Sequence, residues 1–105
     1  ITKKELEKLA KKRFGDLVKA VIDIKLGIMA LGGELHADEE AELLKNGSEQ
    51  QDLWGFNLYP DESKEKWIEF DSVINIRPSQ NNHSRDVESP EIRGKIRKIV
   101  KKLTE

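Results

Sequence analysis

Six polar side chains in this sequence could together hold a negatively charged ligand. Five of them fall in the stretch NIRPSQNNHSRDVESPEIR, residues 75–93, and the sixth lies in GGELHADEE, residues 32–40. An arginine guanidinium pairs with a carboxylate or phosphate through two parallel hydrogen bonds, and asparagine and serine add neutral hydrogen bonds. The predicted ligand-binding residues are Asn75, Arg77, Asn82, Ser84, Arg85 and His36.

The stretch also has an ordinary interpretation, as a connection between a strand and a helix. Asn, Ser and Pro commonly end strands, and the arginines could pair with Glu34, Asp38, Glu69 or Asp71. Exposed pairs of this kind contribute only ~0–1 kcal/mol. In favour of a site, about twelve residues without secondary structure make a long loop, and long loops are often functional. Both interpretations stay open at the level of sequence.

The segment GGELHADEE places an imidazole and three carboxylates, those of Glu34, Asp38 and Glu39, within six residues. Such a set could bind a cation or supply a general base. Its spacing matches neither HExxH nor an EF-hand loop, so we predict no metal and no cofactor. The simpler interpretation is a glycine turn followed by a helix whose first turn is acidic, as the helix dipole favours.

Catalytic templates are missing from the sequence: it contains no GxSxG, no P-loop and no GxGxxG. Only His36 and His83 could act as acids or bases near neutral pH. If their two segments converged, a cluster of His36, His83 and Arg77 could transfer or cleave a phosphoryl group. No catalytic residue can be assigned from the sequence.

Composition indicates one folded domain over residues 1–105. There is no cysteine and no apolar run long enough for a membrane span, which agrees with an intracellular protein that does not span a membrane. The net charge of −1 argues against broad nucleic-acid binding. The charges are uneven, however: +4 over residues 1–15, −6 over residues 34–52 and +4 over residues 77–105.

Seven elements must position these side chains. A capping box at Thr2 and Glu5 starts a helix over about residues 3–14, which Gly15 ends. Period-two patterns predict a hairpin of VKAVIDI and IMALG, turning at Gly27, although one continuous helix over residues 16–31 is the competing interpretation. HADEEAELLK predicts a helix, and DLWGFNLYP and KWIEFDSVINIR predict two strands. Ser89 and Pro90 then start the last helix.

The predicted fold is therefore α+β, in the order α-β-β-α-β-β-α. About four antiparallel strands form a sheet, with three helices packed mainly on one face. In the strand KWIEFDSVINIR, apolar residues alternate with polar ones, as expected when only one face of the sheet is covered.

Three segments, MALGGELHADEE, LWGFNLYP and the run from FDSVINIRPSQNN to PEIR, resemble a family of prokaryotic proteins whose function is unknown. The resemblance covers nearly the whole chain. It implies a prokaryotic origin and a cytoplasmic location, and it implies no activity, cofactor or partner.

The leading hypothesis from the sequence is a small domain that binds a phosphate- or carboxylate-bearing ligand. The binding residues would lie mainly in the polar segment of residues 75–93, which we call the Arg/Asn loop. One alternative is a protein-interaction module, such as a homodimer in which the acidic middle of one copy meets the basic end of another. A further alternative is a small RNA-binding protein or RNA-directed enzyme.

Overall fold

The computed structural model describes residues 1–104, and its helices and strands follow the predicted order. The helices are α1 (Lys3–Arg13), α2 (His36–Lys45) and α3 (Pro90–Leu103). The strands are β1 (Val18–Asp23), β2 (Ile28–Leu31), β3 (Leu53–Leu58) and β4 (Ile68–Glu69). Short 3-10 turns lie at Gln50–Asp52, Lys64–Lys66, Val73–Asn75 and Pro78–Gln80.

The four strands form one antiparallel sheet in the order β2-β1-β3-β4. In the register of the two central strands, Ala20 lies opposite Phe56 and Ile22 opposite Trp54. The predicted hairpin of β1 and β2 is confirmed, and Gly27 has the positive φ, 69°, that its turn requires. The competing continuous helix over residues 16–31 is wrong, since β-branched residues and this glycine favour strands.

Two helices cover one face of the sheet, which we call the first face. There, Leu6 of α1 and Ile96 of α3 pack on alternate residues of the central strands, including Trp54 and Phe56, and all four are buried. The predicted α+β fold with helices mainly on one face is confirmed. The exception is α2, which lies over the opposite, second face, where its Leu43 shares a small buried cluster with Val21 and Leu53.

The strand predicted for KWIEFDSVINIR is much shorter in the structure, because only Ile68 and Glu69 pair with β3. Beyond β4 the chain turns where the Ser72 hydroxyl accepts a hydrogen bond from the Ile74 N–H, at 3.3 Å. It then crosses the second face so closely that a Cβ on Gly55 would meet the Ser72 Oγ at 2.7 Å. The alternating apolar residues of KWIEFDSVINIR are therefore explained partly by the short strand β4 and partly by the turn that follows it and packs on the sheet.

The short pairing with β4 leaves the outer edge of β3 without a neighbouring strand at Gly55. A side chain takes the place of that strand. The Asn75 amide accepts a hydrogen bond from the Gly55 N–H and donates one to the Gly55 carbonyl, both at 2.8 Å, and it also donates to the Arg85 carbonyl at 3.0 Å. Asn75 is 0% exposed, so all of its hydrogen bonds are made inside the protein.

We expect Asn75→Asp to lower the free energy of unfolding by about 2–4 kcal/mol. The carboxylate keeps the size of the amide but has no N–H, and it would face the carbonyls of Gly55 and Arg85 without water. Urea unfolding followed by circular dichroism measures the change.

The matched control is Asn81→Asp, an exposed position in the same loop, which should cost less than about 0.5 kcal/mol. Asn81 has a φ of 63°, a conformation that aspartate also tolerates. Equal stability of Asn75→Asp and the wild type would show that the amide does not replace a strand.

Candidate functional site

Arg77, the centre of the predicted ligand site, is directed into the fold. Its guanidinium donates to the carbonyls of Gln50 and Leu53, and its Cζ lies 4.2 Å from the centroid of the Trp54 ring. Leu53 is the first residue of β3. Arg77 therefore satisfies a backbone carbonyl at the same outer edge of β3 where Asn75 pairs with Gly55. The fork of Arg77 thus donates to neutral backbone carbonyls the hydrogen bonds that it could otherwise offer to an anionic ligand.

Asn82 holds the polar loop together. Its amide nitrogen donates to the carbonyls of Asn75 and Asp86 at 2.7 Å and of Ser84 at 3.1 Å, while its Oδ1 accepts from the Glu88 N–H at 2.8 Å. This side chain is 3% exposed and joins four backbone groups of the loop, so it stabilises the loop as a clamp would. The polarity of the loop therefore has a structural use, and a ligand-binding role for Asn75, Arg77 and Asn82 stays a prediction.

Ser84 and Arg85 lie on the exposed side of the loop. The Ser84 hydroxyl donates to a Glu88 carboxylate oxygen at 2.6 Å, and Arg85 forms an ion pair with Asp71. Both members of that ion pair are about half exposed, so it contributes little to stability. Asp71 was among the partners expected for the arginines if the loop is only a connection.

His36 lies elsewhere, as the first residue of α2 on the second face. Its Nε2 is 2.8 Å from the Phe56 carbonyl, whereas Arg77 contacts the Leu53 carbonyl three residues earlier in β3. At about 3.3 Å per residue, the two contacts are roughly 10 Å apart. The structure thus brings Asn75, Arg77 and Asn82 together and places His36 in different surroundings.

A row of polar residues crosses the second face beside His36. In the sheet register Lys19 of β1 lies opposite Asn57 of β3, which lies opposite Glu69 of β4. The Asn57 amide and the Tyr59 hydroxyl both donate to the Glu69 Oε1, at 2.9 and 3.0 Å. Burial lowers the pKa of His36, against the opposing effect of the Phe56 carbonyl, and so favours the neutral imidazole.

Glu39 is the most perturbed carboxyl group in this region. It is 4% exposed, and its Oε2 accepts a hydrogen bond from the Gly33 N–H at 3.0 Å. Burial raises its pKa to about 8, although the Gly33 N–H acts in the opposite direction. Glu39 is therefore protonated at neutral pH. It fits closely against Gly33, where a Cβ would meet its Cγ at 2.9 Å, so it ties the first turn of α2 to the connection from β2.

A concave feature of the described chain lies at the first face, where α1 and α3 pack. It is a groove of about 460 Å³ between the end of α3, the start of α1 and the connection from β3 to β4. Four basic side chains line it, and we call it the basic groove: Lys3, Lys64, Arg97 and Lys101. The other lining residues are Glu62, Ser63, Trp67, Ile68, Val100 and Thr104.

The apolar part of the basic groove is fixed by the fold. Trp67 is 9% exposed, and its indole N–H donates to the Pro60 carbonyl at 3.1 Å. Val100 is part of the main core. Residues 1 and 103 lie next to each other beside the groove, where the nitrogen of Ile1 donates to the Leu103 carbonyl at 2.9 Å.

This groove has no pattern in the sequence. The apolar stripe of α3, formed by Ile92, Ile96, Ile99, Val100 and Leu103, predicts that the basic residues opposite it form a solvated face. Arg97 and Lys101 are one helical turn apart at the border of that stripe, beside the buried Ile96 and Val100. The spacing of Arg97 and Lys101 can be read from the sequence, but the approach of Lys3 and Lys64 from distant segments cannot.

A smaller opening of about 390 Å³ lies between the end of α1 and the start of α2. Its arginine, Arg13, donates to the Gly32 carbonyl at 2.7 Å and pairs with Glu34 at 3.0 Å. Arg13 and Glu34 of this opening are therefore paired with each other, whereas Lys12, which also lines it, forms no ion pair in the described chain.

Residues 1–104 contain no group of three or more histidine or acidic side chains arranged to hold a metal ion. Within the same residues, no helix has the length and apolar character needed to cross a membrane.

The comparison with known families gives one result. A family model described as "Protein of unknown function (DUF5674)" matches residues 1–103. No curated protein and no solved structure matches the chain. The resemblance inferred from the sequence segments to a family of unknown function is thereby confirmed, whereas the prokaryotic origin stays a prediction.

We expect Glu39→Gln to stabilise the protein increasingly as the pH rises. The folded-state pKa of Glu39, about 8, lies above its ordinary value of 4.5, so the wild type loses stability as the pH rises from about 4.5 through about 8. Glutamine keeps the acceptor for the Gly33 N–H and has no charge to bury. The gain should be small at pH 5 and about 2 kcal/mol or more at pH 8, measured by urea unfolding.

Glu42→Gln, an exposed position of the same helix, serves as the control and should show no comparable rise. A gain for Glu39→Gln that is equal at pH 5 and pH 8 would contradict the protonated state of Glu39.

Proposed function

The chain belongs to the DUF5674 family, and we propose that it binds a small anionic ligand, bearing a phosphate or carboxylate on an apolar body, in the basic groove. This is the ligand class expected from the sequence, at a different place on the molecule. The observation that carries the proposal is the groove itself, in which four cations from three segments surround one apolar floor.

The charges of the basic groove favour an anion. Its lining has four basic side chains and one carboxylate, Glu62. The three ion pairs of the described chain are Arg13–Glu34, Arg85–Asp71 and Arg93–Asp86, and none of them uses a cation of the groove. Lys3, Lys64 and Lys101 are therefore available to a ligand, at a lower desolvation cost than buried charges would have. The Arg97 guanidinium lies over the Phe70 ring, 5.1 Å from its centroid, at the border of the groove.

The floor of the groove favours an apolar group attached to that anion. Trp67, Ile68 and Val100 offer an aromatic ring and two branched side chains whose positions are held by the core. Ligand pockets typically measure roughly 300–1,000 Å³ and combine an apolar lining with a few polar groups that set orientation. The groove, with about 460 Å³, has the size for a ligand of one or two rings.

The Arg/Asn loop is a weaker candidate for the same ligand. The Arg77 fork and the Asn75 and Asn82 amides are engaged by backbone groups, and their release would disrupt the edge of β3. Arg85 remains accessible, but its guanidinium is paired with Asp71. The homo-oligomer and the RNA-directed enzyme inferred from the sequence stay predictions.

We expect naphthyl phosphate to bind wild-type protein with a Kd on the order of 0.1–1 mM, as about 0.3 kcal/mol per non-hydrogen atom implies. Arg97→Ala and Lys101→Ala should each weaken this binding about 5-fold or more, because each removes a charge that the phosphate contacts. Isothermal titration calorimetry at low salt measures both changes.

Two controls separate the groove from general surface charge. Lys98→Ala alters an exposed residue of α3 that does not line the groove and should leave the Kd unchanged. Naphthol, which lacks the phosphate, should bind at least 10-fold more weakly. If Arg97→Ala bound naphthyl phosphate as the wild type does, or if Arg77→Ala alone abolished binding in a folded protein, the groove would not be the site.

A further inference from the structure

We propose that the outward surface of α1 and α3, which we call the basic face, binds the phosphate backbone of a nucleic-acid duplex without reading its sequence. The net charge of the whole chain, −1, argued against nucleic acid. Net charge is a sum over all surfaces, however, and a partner meets only one of them. The structure brings the start of α1 next to the end of α3, where the Ile1 nitrogen donates to the Leu103 carbonyl, and both helices pack on one core.

The charges of the two helices are strongly one-sided. Residues 3–13 carry six basic and two acidic side chains, and residues 90–103 carry six basic and one acidic. Both helices lie on the first face of the sheet, where their buried residues share one core. On the second face, α2 carries three ionised carboxylates beside the protonated Glu39, and one basic side chain. The helices of the first face together carry a charge of +9, including three cations of the basic groove, whereas α2 carries −2.

Most of these cations are free to meet a partner. Lys8, Lys11, Lys95, Lys98 and Lys102 are exposed. In the described part of the chain, the ion pairs of the two helices are those of Arg13 and Arg93. A surface with many unpaired cations concentrates polyanions, because phosphate contacts release the counterions that surround a nucleic acid.

The composition of the basic face favours a nucleic acid over a membrane. Peripheral helices bind bilayers by burying exposed apolar residues among the lipids. The exposed large apolar residues of the described chain include none within α1 or α3. The basic face thus offers charge without an apolar surface to insert.

The same composition favours a duplex over a single strand. Proteins that bind single strands stack the bases on aromatic side chains. Neither KKELEKLAKKR nor PEIRGKIRKIVKKL contains an aromatic residue. A duplex exposes its phosphates and keeps its bases stacked, so it can be bound by cations alone.

The dimensions of α3 limit the contact to a few phosphates. A helix of 14 residues is roughly 21 Å long, which corresponds to about six base pairs of duplex. About three or four phosphates are then within reach, and log Kd should change with log salt with a slope of roughly 3. The cations at issue lie outside the basic groove, so this inference does not rest on the proposed small ligand.

Fluorescence anisotropy with labelled 20-base-pair duplexes of DNA and of RNA tests the inference. We expect a Kd in the micromolar range at 25 mM NaCl, weakening roughly 200-fold by 150 mM as a slope of about 3 implies, with little dependence on base sequence. Binding to both duplexes supports a contact with phosphates alone, and binding to only one supports a contact that also reads the shape of its helix.

The diagnostic variant is Lys95→Glu/Lys98→Glu, which should weaken binding at least 10-fold and reduce the salt slope by about 2. Lys25→Glu/Lys45→Glu changes the net charge equally, at two exposed positions outside α1 and α3, and should retain most of the binding. Circular dichroism confirms that each variant is folded.

Three outcomes would overturn the inference. They are no binding to either duplex at 25 mM NaCl, equal loss in the two double variants, and binding to phosphatidylserine vesicles but not to duplexes. Naphthyl phosphate binding by the Lys95→Glu/Lys98→Glu variant distinguishes a failure here from a failure of the groove proposal.

Discussion

The structure depends on how the outer edge of β3 is satisfied. β3 is a central strand in the sheet order, yet β4 pairs with only two of its residues, which leaves the backbone of Leu53 and Gly55 open on one side. Buried backbone groups without partners are costly. The chain solves this with side chains: the Asn75 amide pairs with Gly55, and the Arg77 fork binds the Leu53 carbonyl while lying against Trp54. The Arg/Asn loop stabilises this arrangement, because the Asn82 amide donates to the Asn75 carbonyl and the Arg85 carbonyl accepts from the Asn75 amide.

That constraint also explains the division of the molecule into two surfaces. Because the segment after β4 folds over the second face beside α2, this face carries buried polar groups such as His36, Asn57 and Glu39. The first face is left to α1 and α3, which bury apolar stripes and turn their cations outward. The groove between the ends of these helices combines both properties, with an apolar floor and a charged border.

The sequence was sufficient for the elements whose signals are local. The capping box at Thr2, the turn at Gly27 and the cap at Ser89 each act within a few residues, and all three are present in the structure. The sequence was not sufficient where the interacting residues are far apart along the chain. An asparagine that replaces a strand, as Asn75 does twenty residues from Gly55, has no pattern of its own in the chain. For the same reason the sequence suggested arginines directed at a ligand, whereas Arg77 is directed at backbone, and it did not place Lys3 and Lys64 beside Arg97.

The clamp at Asn82 bears on the chemical ageing of the protein. Asparagine amides hydrolyse slowly to carboxylates, and hydrolysis at Asn82 would set a negative oxygen against the three carbonyls that now accept its hydrogen bonds. The reaction needs a mobile backbone, and this side chain is 3% exposed and held at both ends of its amide. The contacts that make the loop rigid therefore also protect it from the reaction that would destroy them. Partial unfolding would make the backbone at Asn82 mobile, so even a brief and reversible opening would allow the irreversible hydrolysis of its amide.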